Sequence, residues 1–558
     1  MLRTIKIHPS VIGRRFQQQF SNRSYEPSFT RPVRATADNL ESLPILLKHF
    51  KKTKRRRDVD DPTHPSKITF LEIKDFLNTY SKAKKVSIEP EQTNNPPELI
   101  HAFLPRGRRD QDDIIIENVE VRDIAYSGEG IAIIPRSSYA EGIISNHNDI
   151  EGKYTILLIP RTVVGDIVDV KIRMHHEHYA EGEPVKIHES KLSQRDDSLI
   201  KCEYFGKCNG CAFQMLRYED QLIHKQHMIQ RAYKFFYPEV FQSLSNMDEF
   251  GKVVASPKEY GYRTKINPHA AFYRDGTAAI GFQQAYSSRN VDVEQCPIAS
   301  DTINKLYKIV RWEIQDNIGW FSRKGRTTKN LMIRDTITPK LKIKAIDEMK
   351  ARVRVQIEGL FYEFDSSSFF QINHSILPRV LDYIRGHMRS SPNKIEKLVD
   401  TYCGVGFLGI ALSRDLPPGA KVYGIETSAK SIEDAIDNVV LNNLDLNKFD
   451  FIEGDASQIF EVRQFKNGQV TGKNSMVIMN PSRVGSNEAY LEGLLKFNPD
   501  LIVYISCSVF TQARDLATFE KLQKKAGNVQ YRVKDVVGFD FFPQTKHVES
   551  VAILERIK

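Results

Sequence analysis

The sequence predicts an α/β protein with a C-terminal Rossmann-like domain, preceded by a small OB-like β-barrel and a mixed α+β central domain. Two observations carry this. From residue 397 onward short apolar strands alternate with helical stretches, and a glycine-rich turn, Gly404-Val405-Gly406-Phe407-Leu408-Gly409, joins the first strand to the first helix. Between about residues 112 and 190, short runs of branched residues are separated by turn signals, the pattern of a small barrel.

Composition narrows the class. The 558 residues hold 80 Lys and Arg against 70 Asp and Glu, a formal charge of +10, which leans toward a polyanionic partner. Hydrophobic residues make up 41% and charged residues 27%, ordinary globular values. The longest apolar runs, such as Ile156-Leu157-Leu158-Ile159, fall far short of the roughly 18 residues of a membrane span, so no membrane partner is expected. Six cysteines in this length do not make a disulfide scaffold. No obligate protein partner is implied.

The N-terminus has its own character. The first acidic residue is Glu26, and Arg3, Lys6, Arg14, Arg15 and Arg23 precede it among serines and apolar residues. That is the composition of a mitochondrial presequence over residues 1–25. A basic run, Lys51, Lys52, Lys54, Arg55, Arg56 and Arg57, offers the alternative of a nuclear signal or an RNA contact, with nuclear or cytoplasmic residence. Residues 26–110 read as a basic, low-order extension with a short helix at 66–86 and a linker at 93–97. The barrel follows at 111–190, with strands expected at 114–121, 154–159 and 166–172 and a turn at Gly128-Glu129-Gly130.

The central domain, 191–364, contains Cys202, Cys208 and Cys211, with Asn209-Gly210 supplying a tight turn and Cys296 following at a distance. Three clustered thiols and one remote thiol can supply four ligands. Zinc sites usually come as two close pairs, so this spacing favours a [4Fe–4S] cluster, with zinc as the second choice.

The last domain, 365–558, holds the glycine turn. Asp400 precedes it, Glu426 ends the second strand, and Asp455 ends the third. An acid at the end of the second strand can accept both hydroxyls of a ribose. The turn alone fits either a dinucleotide or S-adenosylmethionine. Asp400 and Asp455 favour S-adenosylmethionine, whose ammonium and adenine amino groups need acceptors, whereas a pyrophosphate wants bare N–H groups.

Further segments sit at strand ends or in the loops after them. They are Asn480-Pro481-Ser482-Arg483-Val484-Gly485, then Tyr504-Ile505-Ser506-Cys507, then Phe542-Pro543-Gln544-Thr545-Lys546-His547-Val548-Glu549. Upstream lies Phe369-Phe370-Gln371-Ile372-Asn373. Together with Asp400-Thr401-Tyr402-Cys403-Gly404-Val405-Gly406, and in this order, these motifs resemble the uracil-C5 RNA methyltransferases. The resemblance runs from about residue 110 to the C-terminus and takes in the barrel, which looks like that family's TRAM domain, and the cysteine set.

The resemblance implies a Rossmann-like S-adenosylmethionine-dependent methyltransferase domain and a set of roles. Cys507 is the nucleophile that adds to C6 of uracil, which turns C5 into a carbon able to attack the methyl sulfonium. Glu549 is the base that removes the C5 proton. Arg483 and Gln544 hold uracil carbonyls or stabilise the enolate. Gln371, Tyr402, Glu426, Asp455 and Asn480 contact the cofactor. Cys403 reads as a core thiol and His547 as structural. The sequence departs from the family at two points: Asn480 and Ser482 stand in an Asp-Pro-Pro-Arg motif, and Ser508 stands where Asn is common. These bear on rate and substrate choice rather than on reaction type.

The expected partner is RNA, foremost the T-loop uridine of tRNA, flipped into the pocket for reaction. Mitochondrial rRNA is the alternative substrate. An RNA-binding or tRNA-folding paralogue with weak or lost catalysis is the alternative class.

Overall fold

The computed structural model describes residues 61–84, 115–135, 154–175, 179–243, 249–273, 277–285, 289–317, 328–348, 350–527 and 530–557. The presequence, the basic run at 51–57 and the linker at 93–97 lie outside the described residues. The chain divides into two units, Met1–His64 and Pro65–Lys558. In the described part of the first, the Asp61 carboxylate accepts from the Thr63 N–H at 2.8 Å. The second unit holds everything that follows.

Branched residues in alternation build the first sheet. Its strands are β1 (Ile115–Glu120), β2 (Asp123–Ile124), β3 (Glu129–Pro135), β4 (Tyr154–Pro160), β5 (Ile167–His175) and β6 (Ala180–His188), in the order β1-β5-β6-β4-β3-β2. Successive side chains point to opposite faces, so this sheet serves two cores. Ala132, Ile134, Leu157, Ile159, Val168 and Val170 pack on one face. Ile131, Ile133, Ile156 and Leu158 meet Ile73, Phe76, Leu77 and Tyr80 of α1 (Pro65–Lys84) on the other. The expected helix is therefore present, but it is docked on the sheet rather than part of a low-order extension. Ile116 and Val119 of β1 share the inner core with Ala132 and Ile134 of β3, so the sheet curls around one apolar face as expected of a small barrel.

The central segment starts with the cysteine loop and α2 (Tyr218–Phe236). The strands β7 (Val253–Val254), β8 (Lys265–Ile266), β9 (His269–Phe272), β10 (Ala278–Gln283) and β11 (Asn290–Asp292) follow. After α3 (Asp301–Asp316) come β12 (Thr328–Asn330), β13 (Ile333–Ile337), β14 (Ile343–Ile346), β15 (Arg352–Ile357) and β16 (Leu360–Asp365). Ile303, Tyr307, Val310 and Ile314 repeat at helical spacing along α3 and pack on Ile266, Ala270, Ile280 and Ile333.

The large sheet is built from β17 (Lys397–Asp400), β18 (Lys421–Glu426), β19 (Phe449–Glu453), β20 (Ser475–Met479), β21 (Leu501–Ser506), β22 (Tyr531–Phe539) and β23 (Glu549–Arg556). The order is β19-β18-β17-β20-β21-β23-β22-β7. Strands β17 to β21 pair in parallel, and β23 runs antiparallel to both neighbours. The helices are α4 (Leu377–Ser390), α5 (Phe407–Leu412), α6 (Ala429–Leu441), α7 (Glu488–Phe497) and α8 (Val509–Lys525). Leu398, Val422, Ile478 and Val503 pack with Ile384, Ile410 and Val439 on one face. Val399, Ile425, Val477 and Ile502 pack with Leu491, Phe510 and Phe519 on the other. This is the expected Rossmann-like layering.

The expected limits of the central domain do not match the cores. Ile229 and Tyr233 of α2 and Val253 of β7 share a core with β21 and α8. Val353, Val355, Tyr362 and Phe364 of the β15–β16 hairpin share the opposite core with α4. Among the described residues no helix is long and apolar enough to cross a membrane.

Candidate active site

The carboxyl ends of β17 to β21 form one edge, where open α/β sheets place ligands. The turn after β17 depends on its glycines. Gly404 and Gly406 have φ of +54° and +83°, a region that glycine enters freely. A Cβ on Gly406 would sit 2.9 Å from Ile410 Cδ1, and one on Gly409 would sit 3.1 Å from Val422 Cγ1, so α5 lies close on the strands.

Glu426, at the end of β18, is tied into this turn. Its Oε2 accepts from the Gly404 N–H at 3.2 Å, and its Oε1 accepts from the Ser428 N–H at 3.0 Å. A carboxylate offers about four lone-pair positions, which leaves acceptors for a ribose. Asp400 lies beneath the turn, 1% exposed, with the backbone N–H groups of Tyr402 and Gly409 directed at its carboxylate. Burial pushes its pKa up to about 7, with Glu426 adding to the rise. Asp400 is therefore enclosed by the turn and does not present its carboxylate at the surface of the edge.

Tyr402 is half-buried in the same turn, its ring 6.1 Å from that of Tyr490, and the Asp455 carboxylate contributes to raising its pKa. Asp455 is exposed and caps the next helical turn by accepting from the Ser457 N–H at 2.8 Å. Asn480 is half-buried just past β20. Gln371 is half-buried beside Phe370, whose ring stacks on Phe364 at 4.8 Å. Phe369, to which the motif assigned no role, is 77% exposed; an aromatic face open to solvent suits stacking on a base. Cys403 is buried, as expected of a core thiol.

Cys507 follows β21 and Glu549 begins β23. The register pairs Ser506 with Ser550, so Cys507 and Glu549 stand one step further along the same antiparallel ladder. Burial raises the Cys507 thiol, and the neighbouring Glu549 raises it further, while Arg483 acts in the opposite sense and hydrogen-bonds the sulfur. Burial pushes Glu549 up to about 8, again opposed by Arg483. One guanidinium thus faces both groups.

His547 is open to water at its rim yet deep enough in the cleft that burial, with Arg483 and Lys546 beside it, holds its pKa down to about 4. It is neutral at physiological pH. The Arg483 loop is anchored from behind by Asp515, which accepts from the Ser486 N–H and the Tyr504 hydroxyl, both at 2.7 Å. Arg514 adds a bond to the Val484 carbonyl at 2.7 Å. These pairings are not local, since the partners lie 11 to 30 residues apart.

Gln544 is placed differently from expectation. It is 2% exposed, and its side-chain oxygen accepts from Gln221 of α2 at 3.0 Å. That oxygen is engaged inside the protein rather than presented to a base.

The four cysteines of the predicted set, Cys202, Cys208, Cys211 and Cys296, line one cavity of about 270 Å³. Burial and mutual proximity push Cys208 up to about 11 and Cys211 up to about 12. Zinc draws its sulfurs to roughly 2.3 Å from one centre. Among the described residues no group of three or more His, Cys, Asp or Glu is placed to hold a metal ion.

The family model "tRNA (Uracil-5-)-methyltransferase" matches residues 326–557. A tRNA (uracil(54)-C(5))-methyltransferase of Schizosaccharomyces pombe is 34% identical over 79% of this chain and 78% of its own. Its namesake in Saccharomyces cerevisiae is 31% identical over 79% of this chain and 74% of its own. The crystal structure of Pyrococcus abyssi tRNA (uracil-54, C5)-methyltransferase with S-adenosyl-L-homocysteine superposes with a TM-score of 0.55 at 21% identity, covering 79% of this chain and all of that one. That likeness bears on the fold.

Proposed function

The chain belongs to the tRNA (uracil-5-)-methyltransferase family, and on that premise we propose that it methylates C5 of uracil-54 in tRNA with S-adenosylmethionine as methyl donor. The observation that carries the reading is the placement of Cys507 and Glu549 across one ladder with Arg483 facing both. S-adenosylmethionine supplies an electrophilic methyl group when bound along the edge formed by Gln371, Tyr402, Glu426, Asp455 and Asn480.

The protonation chemistry follows from the shared cation. Arg483 compensates one buried anion well and two poorly. In the first step the Cys507 proton passes to Glu549, and the thiolate beside Arg483 adds to C6 of uracil. The electron pair moves through C5 to the C4 oxygen, and C5 then takes the methyl group. Cys507 is now a neutral thioether, so Glu549 can lose its proton to solvent and stand as the single anion. Its carboxylate removes H5, the C5–C6 double bond re-forms, and the thiolate leaves. One proton reaches solvent per turnover, which balances the loss of the sulfonium charge. A base with a pKa near the working pH suits this cycle.

Three finer readings accompany it. The four cysteines hold a [4Fe–4S] cluster, a reading supported by the donor set and the shared cavity; iron and sulfide analysis of anaerobically purified protein tests it. The β1–β6 sheet is a TRAM-type RNA-binding module, supported by its place ahead of the cysteine loop; filter binding of tRNA by a chain lacking it is the test. Residues 1–25 direct the protein to mitochondria, supported by their acid-free, Arg-rich composition; a fluorescent fusion with and without them is the test.

The function itself is tested by nucleoside mass spectrometry of an unmodified tRNA transcript incubated with protein and S-adenosylmethionine. 5-Methyluridine is expected with the wild type and absent with Cys507→Ala. Its absence from both overturns the reading.

A further inference from the structure

We propose that Gln221 is a positioning residue for the reaction: through a reciprocal pair of hydrogen bonds with Gln544 it fixes the loop that delivers Glu549 to Cys507. The proposal rests on the methyltransferase reading above.

The loop between β22 and β23 takes several of its hydrogen bonds from outside its own sheet. Asp540 Oδ1 accepts from Lys225 Nζ at 2.6 Å. The Phe541 carbonyl accepts from Asn373 Nδ2 at 3.1 Å, and the Phe542 carbonyl accepts from Lys225 at 3.1 Å. The Pro543 carbonyl accepts from the Tyr262 hydroxyl at 3.0 Å. Gln544 carries the densest set. Its N–H donates to Gln221 Oε1 at 3.0 Å, and its Oε1 accepts from Gln221 Nε2 at 3.0 Å. Its carbonyl accepts from the N–H groups of Ala212 and Phe213 at 2.9 and 3.1 Å.

Two features single out this pair. Gln544 has φ of +69°, a left-handed conformation that a non-glycine residue keeps only when its surroundings hold it. Among the described residues, Gln221 is the side chain that bonds both the backbone and the side chain of Gln544, and it is 1% exposed. Its amide also reaches the carbonyls of Phe213 and Leu216 at 3.1 and 3.0 Å, so α2, the cysteine loop and the catalytic loop meet at this one group. Only four residues separate Gln544 from Glu549, and Val548 among them is buried. A shift at Gln544 is therefore passed on to the carboxylate.

A merely structural contact would lower thermal stability and leave the chemistry of the remaining folded protein unchanged. A positioning contact moves the chemistry. Glu549 faces Arg483 and Cys507, and its raised pKa comes from burial. Loosening the loop lets water reach it and lowers that pKa.

The test uses the full chain with Gln221→Ala, Gln544→Ala and the double variant, assayed for 5-methyluridine across pH 6–9 with saturating tRNA. Gln221→Ala should lower kcat about 10- to 100-fold at neutral pH. KM for S-adenosylmethionine should stay within about twofold, and the acidic limb of kcat should move down by about one pH unit. Gln544→Ala should match it, and the double variant should be no worse than either single. If Gln221→Ala does not fold, Gln221→Met serves, since its side chain fills the same space but neither accepts from the Gln544 N–H as an amide does nor donates to Oε1. Wild-type kcat and pH profile in a folded Gln221 variant, or fully additive losses, overturn the proposal. A wild type that makes no 5-methyluridine overturns the methyltransferase reading, and this role with it.

Discussion

Cys507 and Glu549 face each other across β21 and β23, one step past the Ser506–Ser550 pair, with Arg483 facing both. The nucleophile and the base come from strands that run in opposite directions, so the antiparallel insertion of β23 into an otherwise parallel run is what joins them. Two acids beside one cation, Glu549 buried and Cys507 half-buried, share one negative charge most easily, and this governs how the site responds to pH and to substitution.

The first consequence is a rate that rises with pH. Each group must give up a proton during the cycle, and burial raises both, Glu549 to about 8. Under saturating substrates kcat should climb between pH 6 and 8 and level off above. Initial rates of tritiated methyl transfer would check this; a flat profile over that range would contradict it.

The same burial has a stability signature. The folded state holds the Glu549 proton up to about pH 8, whereas the unfolded chain releases it near its ordinary value of 4.5. Stability should therefore fall as pH rises through that window. Glu549→Gln has no proton to lose, so its Tm should pull ahead of wild type between pH 5 and 8.5. Differential scanning fluorimetry reads the gap, and parallel curves would refute the assignment.

Glu426 accepts the Gly404 N–H at the end of β18, and we propose that it takes the ribose of the cofactor. Hydrogen bonds to charged groups are worth about 1.5–3 kcal/mol. Glu426→Ala should weaken S-adenosylmethionine binding about 10- to 100-fold by calorimetry, with tRNA affinity unchanged. An unchanged Kd would remove Glu426 from the cofactor site.

Lys225 and Asp540 form a fully buried ion pair at 2.6 Å between α2 and the catalytic loop. Removing one partner of such a pair costs about 3–5 kcal/mol. Lys225→Ala should lower Tm markedly, and Lys225→Met with Asp540→Leu should recover much of the loss. A single variant as stable as wild type would show that the pair does not hold the loop.

Much of this was legible in the sequence, and the limits are instructive. The strand bounds at Lys397–Asp400 and Tyr154–Pro160 follow from branched apolar runs ended by turn residues, which are local signals. The glycine turn, Glu426, Cys507 and Glu549 were found because their motifs are contiguous. The pairing that sets Cys507 beside Glu549 is not local, since 42 residues separate them. Gln221 and Lys225 were invisible for the same reason: their partners lie 323 and 315 residues away. Gln544 was assigned to substrate from its motif alone, while the structure turns its oxygen toward α2. The cores run across the expected domain limits: α2 and β7 pack in the C-terminal layer, and Val253 of β7 pairs with Gly538 of β22, 285 residues further on.

The most direct test of the account is to separate the two halves of the cycle with Glu549→Gln. This variant lacks the acceptor of the Cys507 proton, so addition to C6 should be slower and should release that proton to solvent, helped by Arg483 now facing the sulfur alone. C5 should then be methylated and the adduct should stall, because nothing removes H5. With unmodified tRNA and S-adenosylmethionine, a covalent protein–RNA adduct should accumulate on a denaturing gel, and mass spectrometry should place it at Cys507. The adduct should be absent from Cys507→Ala/Glu549→Gln. Release of 5-methyluridine by Glu549→Gln at the wild-type rate, or an adduct that forms without Cys507, would contradict the division of labour between these two residues.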